Sequence, residues 1–143
     1  MKQTIRIIAY CLPIAIGTHC FSQAPTIQWQ NTIGSGSDEL RSIEQLPGGG
    51  FLLGGYSGGG ISADKTEISY GADYWLVITD ASGNITMQNT LHAEDGDYLS
   101  NAKQTADGGY ILGGHTQSDA GGDKSEDRVC GCTGDYDLWI VKL

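Results

Sequence analysis

Positive charge is scarce in this chain. Eight Lys and Arg face 17 Asp and Glu in 143 residues, a formal net charge of −9. A nucleic acid is bound by displacing its counterions with basic side chains, so that class of partner is excluded. Long apolar runs are missing as well. No segment approaches the roughly 20 residues of a transmembrane helix, so no helical membrane span is expected. Phe occurs twice and Pro three times. Gly is abundant instead, at 22 residues, but without a three-residue period, which excludes collagen. Seven Tyr and three Trp argue for a packed core against disorder. The length allows a single domain.

The first segment is an address. Lys2 and Arg6 form a positive region, and Ile7 to Ile16 an apolar one, as in a secretory signal peptide. A cut after Ser22 places Cys20 at −3. A cut after Ala24 would leave Pro25 beside the bond, which hinders the peptidase. The expected signal peptide is therefore 1–22. An uncleaved anchor and a lipoprotein site at Cys20 are the alternatives, but the apolar region is short, and Thr18 and His19 are not the small residues such a site wants. Cleavage removes Lys2, Arg6, Cys11, Cys20 and His19, and no acid. Export predicts a secreted or cell-surface location, where disulfides persist.

The remainder contains one unit twice. Phe51-Leu52-Leu53-Gly54-Gly55-Tyr56-Ser57 matches Tyr110-Ile111-Leu112-Gly113-Gly114-His115-Thr116. Gln30-Asn31-Thr32-Ile33 matches Gln88-Asn89-Thr90-Leu91. Asp64-Lys65-Thr66-Glu67 matches Asp123-Lys124-Ser125-Glu126, and Asp73-Tyr74-Trp75-Leu76-Val77 matches Asp137-Leu138-Trp139-Ile140-Val141. The last match has a longer offset, which places an insertion between Glu126 and Asp137. The expected repeats are 23–83 and 84–143.

Each copy reads as four short strands. Ile27 to Ile33 alternates apolar and polar residues, the period of a half-buried strand. Glu39 to Leu46 is weaker, because Leu40, Ile43 and Leu46 are three apart and would also suit a helix. Phe51 to Ser57 is the third strand. Tyr74 to Thr79 is nearly all apolar and reads as buried on both faces. Asp107-Gly108 predicts a type I′ hairpin. Gly-Gly inside a strand needs a reason, and a sheet packed face to face supplies one; a ligand groove is the alternative.

The fold class is therefore all-β: two tandem four-stranded antiparallel blades of a β-propeller-like array. Two blades cannot close a ring that needs roughly four to eight. The chain ends in an apolar strand, Trp139 to Leu143, whereas arrays need polar caps. The expectation is a fragment of a longer array, with completion by assembly as the other option.

These blocks resemble the repeats of large secreted proteins of Bacteroidetes-type bacteria. Those carry a Trp strand, an Asp-Gly-Gly-Tyr turn leading into Ile-Leu-Gly-Gly, a Gly-Asp-Lys-Thr-Glu loop and an Asp-Tyr-Trp-x-Val-Lys-Leu strand. Here the matches are Trp29, Asp107 to Gly114, Asp64 to Glu67, Gly122 to Glu126, Asp73 to Val77 and Asp137 to Leu143. Ile78-Thr79 departs from Lys-Leu, and Leu138 replaces Tyr. The resemblance implies an extracellular propeller-like array, often a cargo of type IX secretion with a C-terminal sorting domain; no such domain follows in this sequence.

Candidate chemistry is sparse. Asp64 with Glu67, and Asp123 with Glu126, have the spacing of a helix cap and its reciprocal Glu, which predicts one helical turn per loop. Calcium is the functional alternative, with Asp119, Asp123, Glu126 and Asp127 as candidate ligands and Asp135 and Asp137 nearby. The spacing is not that of an EF-hand, and Lys124 and Arg128 intrude. Cys130-Gly131-Cys132 reads as a loop staple, a disulfide between Cys130 and Cys132 or to cysteines elsewhere. Zinc would need His92 and His115 in addition. No other cofactor is expected. No Gly-x-Ser-x-Gly elbow occurs, Gly34-Ser35-Gly36 lacks a nucleotide-loop context, and nothing marks two carboxylates as a glycosidase pair.

The expected function is a non-catalytic structural or adhesive segment of a larger secreted protein, partnered by further repeats of the same or another chain. The alternative is a module that binds glycan, peptide or calcium through loops at the blade ends. Such a module should gather Tyr56, His115 and loop acids around one pocket. An enzyme completed by other repeats is a third class.

Overall fold

The structure, a computed structural model, describes residues 24–129 and 134–143. Seven strands follow in order: β1 (Asp38–Gln45), β2 (Phe51–Ser57), β3 (Asp73–Thr79), β4 (Ile85–Leu91), β5 (Asp97–Gln104), β6 (Tyr110–Thr116) and β7 (Asp137–Lys142). All pairings between them are antiparallel. No helix occurs among the described residues, so none there is long and apolar enough to cross a membrane. The signal peptide expected over 1–22 and the staple expected at Cys130 and Cys132 lie outside the described residues.

The chain is all-β, with two sheets ordered β1-β2-β3-β4 and β5-β6-β7. Sheet boundaries do not follow the sequence repeats. β4 opens the second repeat, yet it pairs with β3, with Tyr74 opposite Leu91 and Val77 opposite Gln88. Its counterpart, 27–33, is not a strand, which corrects the expectation of four strands in each copy. Alternation marks a segment as able to pair but does not supply the partner that its N–H and C=O groups require. Residues 85–91 find β3. Residues 27–33 instead lie across the first sheet, with the Trp29 ring 5.7 Å from that of Phe51 and Asn31 Nδ2 donating to Gly83 O at 3.1 Å.

Matched sequences fold alike in fine detail. The β1–β2 register shifts between Leu40 and Ser42, and the β5–β6 register shifts between Leu99 and Asn101. One extra residue in each strand, Arg41 or Ser100, puts positions three apart on one face. That bulge explains the helix-like spacing of Leu40 and Ile43. Three turns share one form: Gly49, Gly83 and Gly108 have φ of 86°, 83° and 87°. At the third, Thr105 N donates to Gly109 O and Gly108 N to Thr105 O. Asp107 is not at positive φ, so the hairpin is not type I′. It is a three-residue loop ending on a left-handed Gly.

The sheets stack front to back. The front of the first sheet presents Leu52, Tyr74, Leu76 and Ile78, and the back of the second presents Leu99, Ala102, Leu112 and Trp139; together they form the core. Each large apolar side chain buried there contributes about 1.5–3 kcal/mol. Polar bonds fix the approach: Ala102 N donates to Ser42 Oγ at 3.0 Å, Gln104 N to Glu44 Oε2 at 3.1 Å and the Tyr74 hydroxyl to Trp139 O at 3.0 Å. A Cβ on Gly54 would meet Ala102 Cβ at 2.8 Å and Leu99 Cδ2 at 3.1 Å. Face-to-face packing therefore accounts for this Gly. β3 is buried along its whole length, as its apolar run predicts, whereas β7 is not.

Candidate functional site

The loop between β2 and β3 carries Asp64 to Glu67. It forms no helical turn. Ser62 and Lys65 bridge across a tight turn, with Lys65 N donating to Ser62 O at 3.0 Å and Ala63 at φ 49°. This turn drives Lys65 inward, where it is 1% exposed. Its ammonium donates to Glu67 O at 2.8 Å and to Thr90 Oγ1 at 2.7 Å, and lies 5.8 Å from the Trp75 ring centre. Burial pushes its pKa down, opposed by Asp73, Glu67 and Asp38. Glu67 accepts from Thr90 N, Gln88 Oε1 accepts from Trp75 Nε1 at 3.2 Å, and Gln88 Nε2 donates to Asp64 O at 2.7 Å. The block is thus a clamp that grips β4. Sequence reasoning read it as a cap because both motifs space an acid three residues after a polar one.

The second copy builds the same loop against β7. Gly121 and Lys124 bridge, Gly122 has φ 54°, and the buried Lys124 ammonium donates to Glu126 O. Among the described residues no strand lies on the outer edge of β7. Lys124, Glu126, Leu138, Trp139 and Ile140 line a cleft there.

A second grouping is aromatic and spans both sheets. The rings of Tyr98 and His115 stack at 5.1 Å, Tyr56 meets Tyr98 edge-on at 5.1 Å, and Tyr136 meets His115 at 4.8 Å. Arg41, the bulge residue, lies over Tyr56 at 5.4 Å and pairs with Glu39 at 2.8 Å. The Tyr56 hydroxyl donates to Glu39 and accepts from Arg41. Tyr56 and His115 therefore both contact Tyr98, which meets one part of what the binding-module expectation asks, while neither lines the cleft beside β7. Tyr98 and Tyr136, which complete the group, were not singled out from sequence. Tyr98 has no aromatic counterpart in the first copy, where Glu39 stands, so repetition carried no signal for it.

Two carboxylates are buried between the loops. Asp97 accepts from Thr116 Oγ1 at 2.5 Å, Ala93 N at 2.7 Å and Ser118 Oγ at 3.2 Å. Asp73 accepts from Tyr70 N at 2.8 Å. Burial raises both pKa values above the ordinary aspartate range, against the hydrogen bonds that lower them.

Three of the four calcium candidates are engaged by protein donors. Asp119 pairs with Arg128 at 3.1 Å, Asp123 accepts from His92 N at 3.0 Å, and Asp127 accepts from Ala120 N at 3.1 Å. Glu126 stands on the cleft beside Trp139. No three metal-ligating side chains converge among the described residues. His92 packs on Tyr70 at 4.9 Å, and His115 belongs to the aromatic group. Trp75 and Trp139 are core residues, while Trp29 is 41% exposed on the back of the first sheet.

No protein-family model matches this sequence, and no curated protein matches it.

Proposed function

We propose that the chain is a non-catalytic β-repeat segment of the extracellular space or cell surface, acting as a structural or adhesive scaffold within a larger assembly. The observation carrying this reading is where its reactive side chains are spent. Lys65, Lys124, Asp73 and Asp97 are all buried. Each holds loop backbone or hydroxyl groups, so its proton or lone pairs serve the fold. Sheets held by such clamps and stacked on one shared core make a stiff module, and an acidic surface keeps it soluble. The apolar segment near Met1 supports export.

Expression of the full chain in a bacterium with an outer membrane, followed by fractionation and mass spectrometry of the N-terminus, tests the reading. A product beginning at Gln23 outside the cytoplasm is expected. Retention of Met1 in the cytoplasm would overturn it.

The Tyr56, Tyr98, His115 and Tyr136 group favours a second reading, a glycan-binding blade end. Tyr136 is exposed and the other three rings are half-buried, and an accessible ring face stacks on the apolar face of a sugar. Under that reading Tyr98→Ala abolishes binding on a glycan array while leaving the circular dichroism spectrum unchanged.

A further inference from the structure

Four observations, at the front and outer edge of the second sheet and at the back of the first, belong together. The first is the clamp. Lys65, Glu67 and Trp75 grip Gln88 and Thr90 of β4, and the corresponding Lys124, Glu126 and Trp139 border a cleft with no strand on it among the described residues. The second is the segment Gln30-Asn31-Thr32. It repeats Gln88-Asn89-Thr90 identically, yet it pairs with nothing as a strand.

The third is Gly113. Its counterpart Gly54 is crowded by Leu99 and Ala102 of the neighbouring sheet, whereas a Cβ on Gly113 would meet nothing within 4 Å. The fourth is a pair of apolar faces. Leu138 and Ile140 on the front of the second sheet are 84% and 66% exposed, and Leu40 and Ile43 on the back of the first are 60% and 62% exposed. By the repeat, Leu40 and Ile43 correspond to Leu99 and Ala102, which fill the existing interface.

We infer that a second copy of this chain docks head to tail: its residues 27–33 add as a strand to the edge of β7, and the back of its first sheet covers the front of the second sheet. Continuing the internal stacking operation by one step brings about both contacts at once. Gln30 then faces Trp139, Thr32 faces Lys124 and Glu126, and Leu40 and Ile43 lie over Gly113. The contact is heterologous, so it builds a ring if the rotation closes and a filament otherwise. It rests on the scaffold reading and deepens it by naming the joint.

The full chain is tested by sedimentation over a concentration series, with two variants. Gln30→Ala/Thr32→Val removes the donor strand's grip. Gly113→Val fills the acceptor face at a position where, in a single copy, a Cβ meets nothing within 4 Å. Wild type should assemble progressively with concentration. Each variant alone should stay folded by circular dichroism, with its dissociation constant raised about tenfold or more. Mixed together they should form a one-to-one heterodimer and nothing larger, because each supplies the half that the other lacks.

A monomeric wild type, variants that assemble like wild type, or variants that fail to complement would each overturn the inference. Glycan binding that depends on Tyr98 would take down the scaffold reading while leaving the complementation result standing.

Discussion

The Lys65 ammonium donates to Thr90 Oγ1 at 2.7 Å, and the two residues belong to different copies of the repeat. This bond, with the ladder between β3 and β4, makes the second repeat complete the sheet of the first. A buried ammonium needs oxygen acceptors in place of water, and Lys65 has two.

Thr90→Val leaves that ammonium with Glu67 O alone. Loss of a hydrogen bond to a buried charge predicts a destabilisation of about 1–3 kcal/mol. Urea unfolding should show a lower midpoint at unchanged slope. Adding Lys65→Met should recover part of the loss, since no buried charge then remains unpaired. An unchanged midpoint for Thr90→Val would mean that the clamp does not grip.

Tyr74→Phe removes the hydroxyl that reaches Trp139 O across the sheets. A cost of about 0.5–1.5 kcal/mol is expected in the same assay. Near-ultraviolet circular dichroism should report the altered setting of Trp139, whose ring lies 4.8 Å from that of Tyr74.

Two equivalent glycines should behave oppositely. A Cβ on Gly54 would meet Ser42 Oγ at 2.7 Å and Ala102 Cβ at 2.8 Å, so Gly54→Ala should destabilise by about 1–3 kcal/mol through overpacking. Gly113→Ala meets nothing within 4 Å and should stabilise the dilute chain by about 0.5–1 kcal/mol, the usual gain for a strand interior. Equal effects would contradict the stacking described above.

Asp97 predicts a pH dependence. Burial, with Asp73 nearby, lifts its carboxyl above 3.8 despite the hydroxyl and amide donors. The folded chain then holds a proton that the unfolded chain has released. Stability from this group is fully present below pH 3.8 and is lost as pH rises through the raised folded value. Across that window the stability of wild type should fall relative to Asp97→Asn. The opposite slope would show that the hydrogen bonds outweigh burial.

How legible the site was varied by residue. Gly54 could be read as a packing Gly because the pair recurs at Gly113 and Gly114. The aromatic group could be read only in part: Tyr56 and His115 occupy matched positions, but Tyr98 lies in β5 opposite His115 and meets Tyr56 only through the stacking of the sheets. The Asp64 to Glu67 block was visible as a motif, yet its role depended on which strand lay against Lys65.

Local order of side chains determined the strands, the turns at Gly49, Gly83 and Gly108, and the duplication, because periodicity and backbone strain act over a few residues. Tertiary structure alone decided that residues 85–91 pair with β3 and that 27–33 do not pair. Strand partners are chosen by burial and hydrogen bonding between segments distant in sequence, and identical residues meet different fates when only one of them has an edge to join.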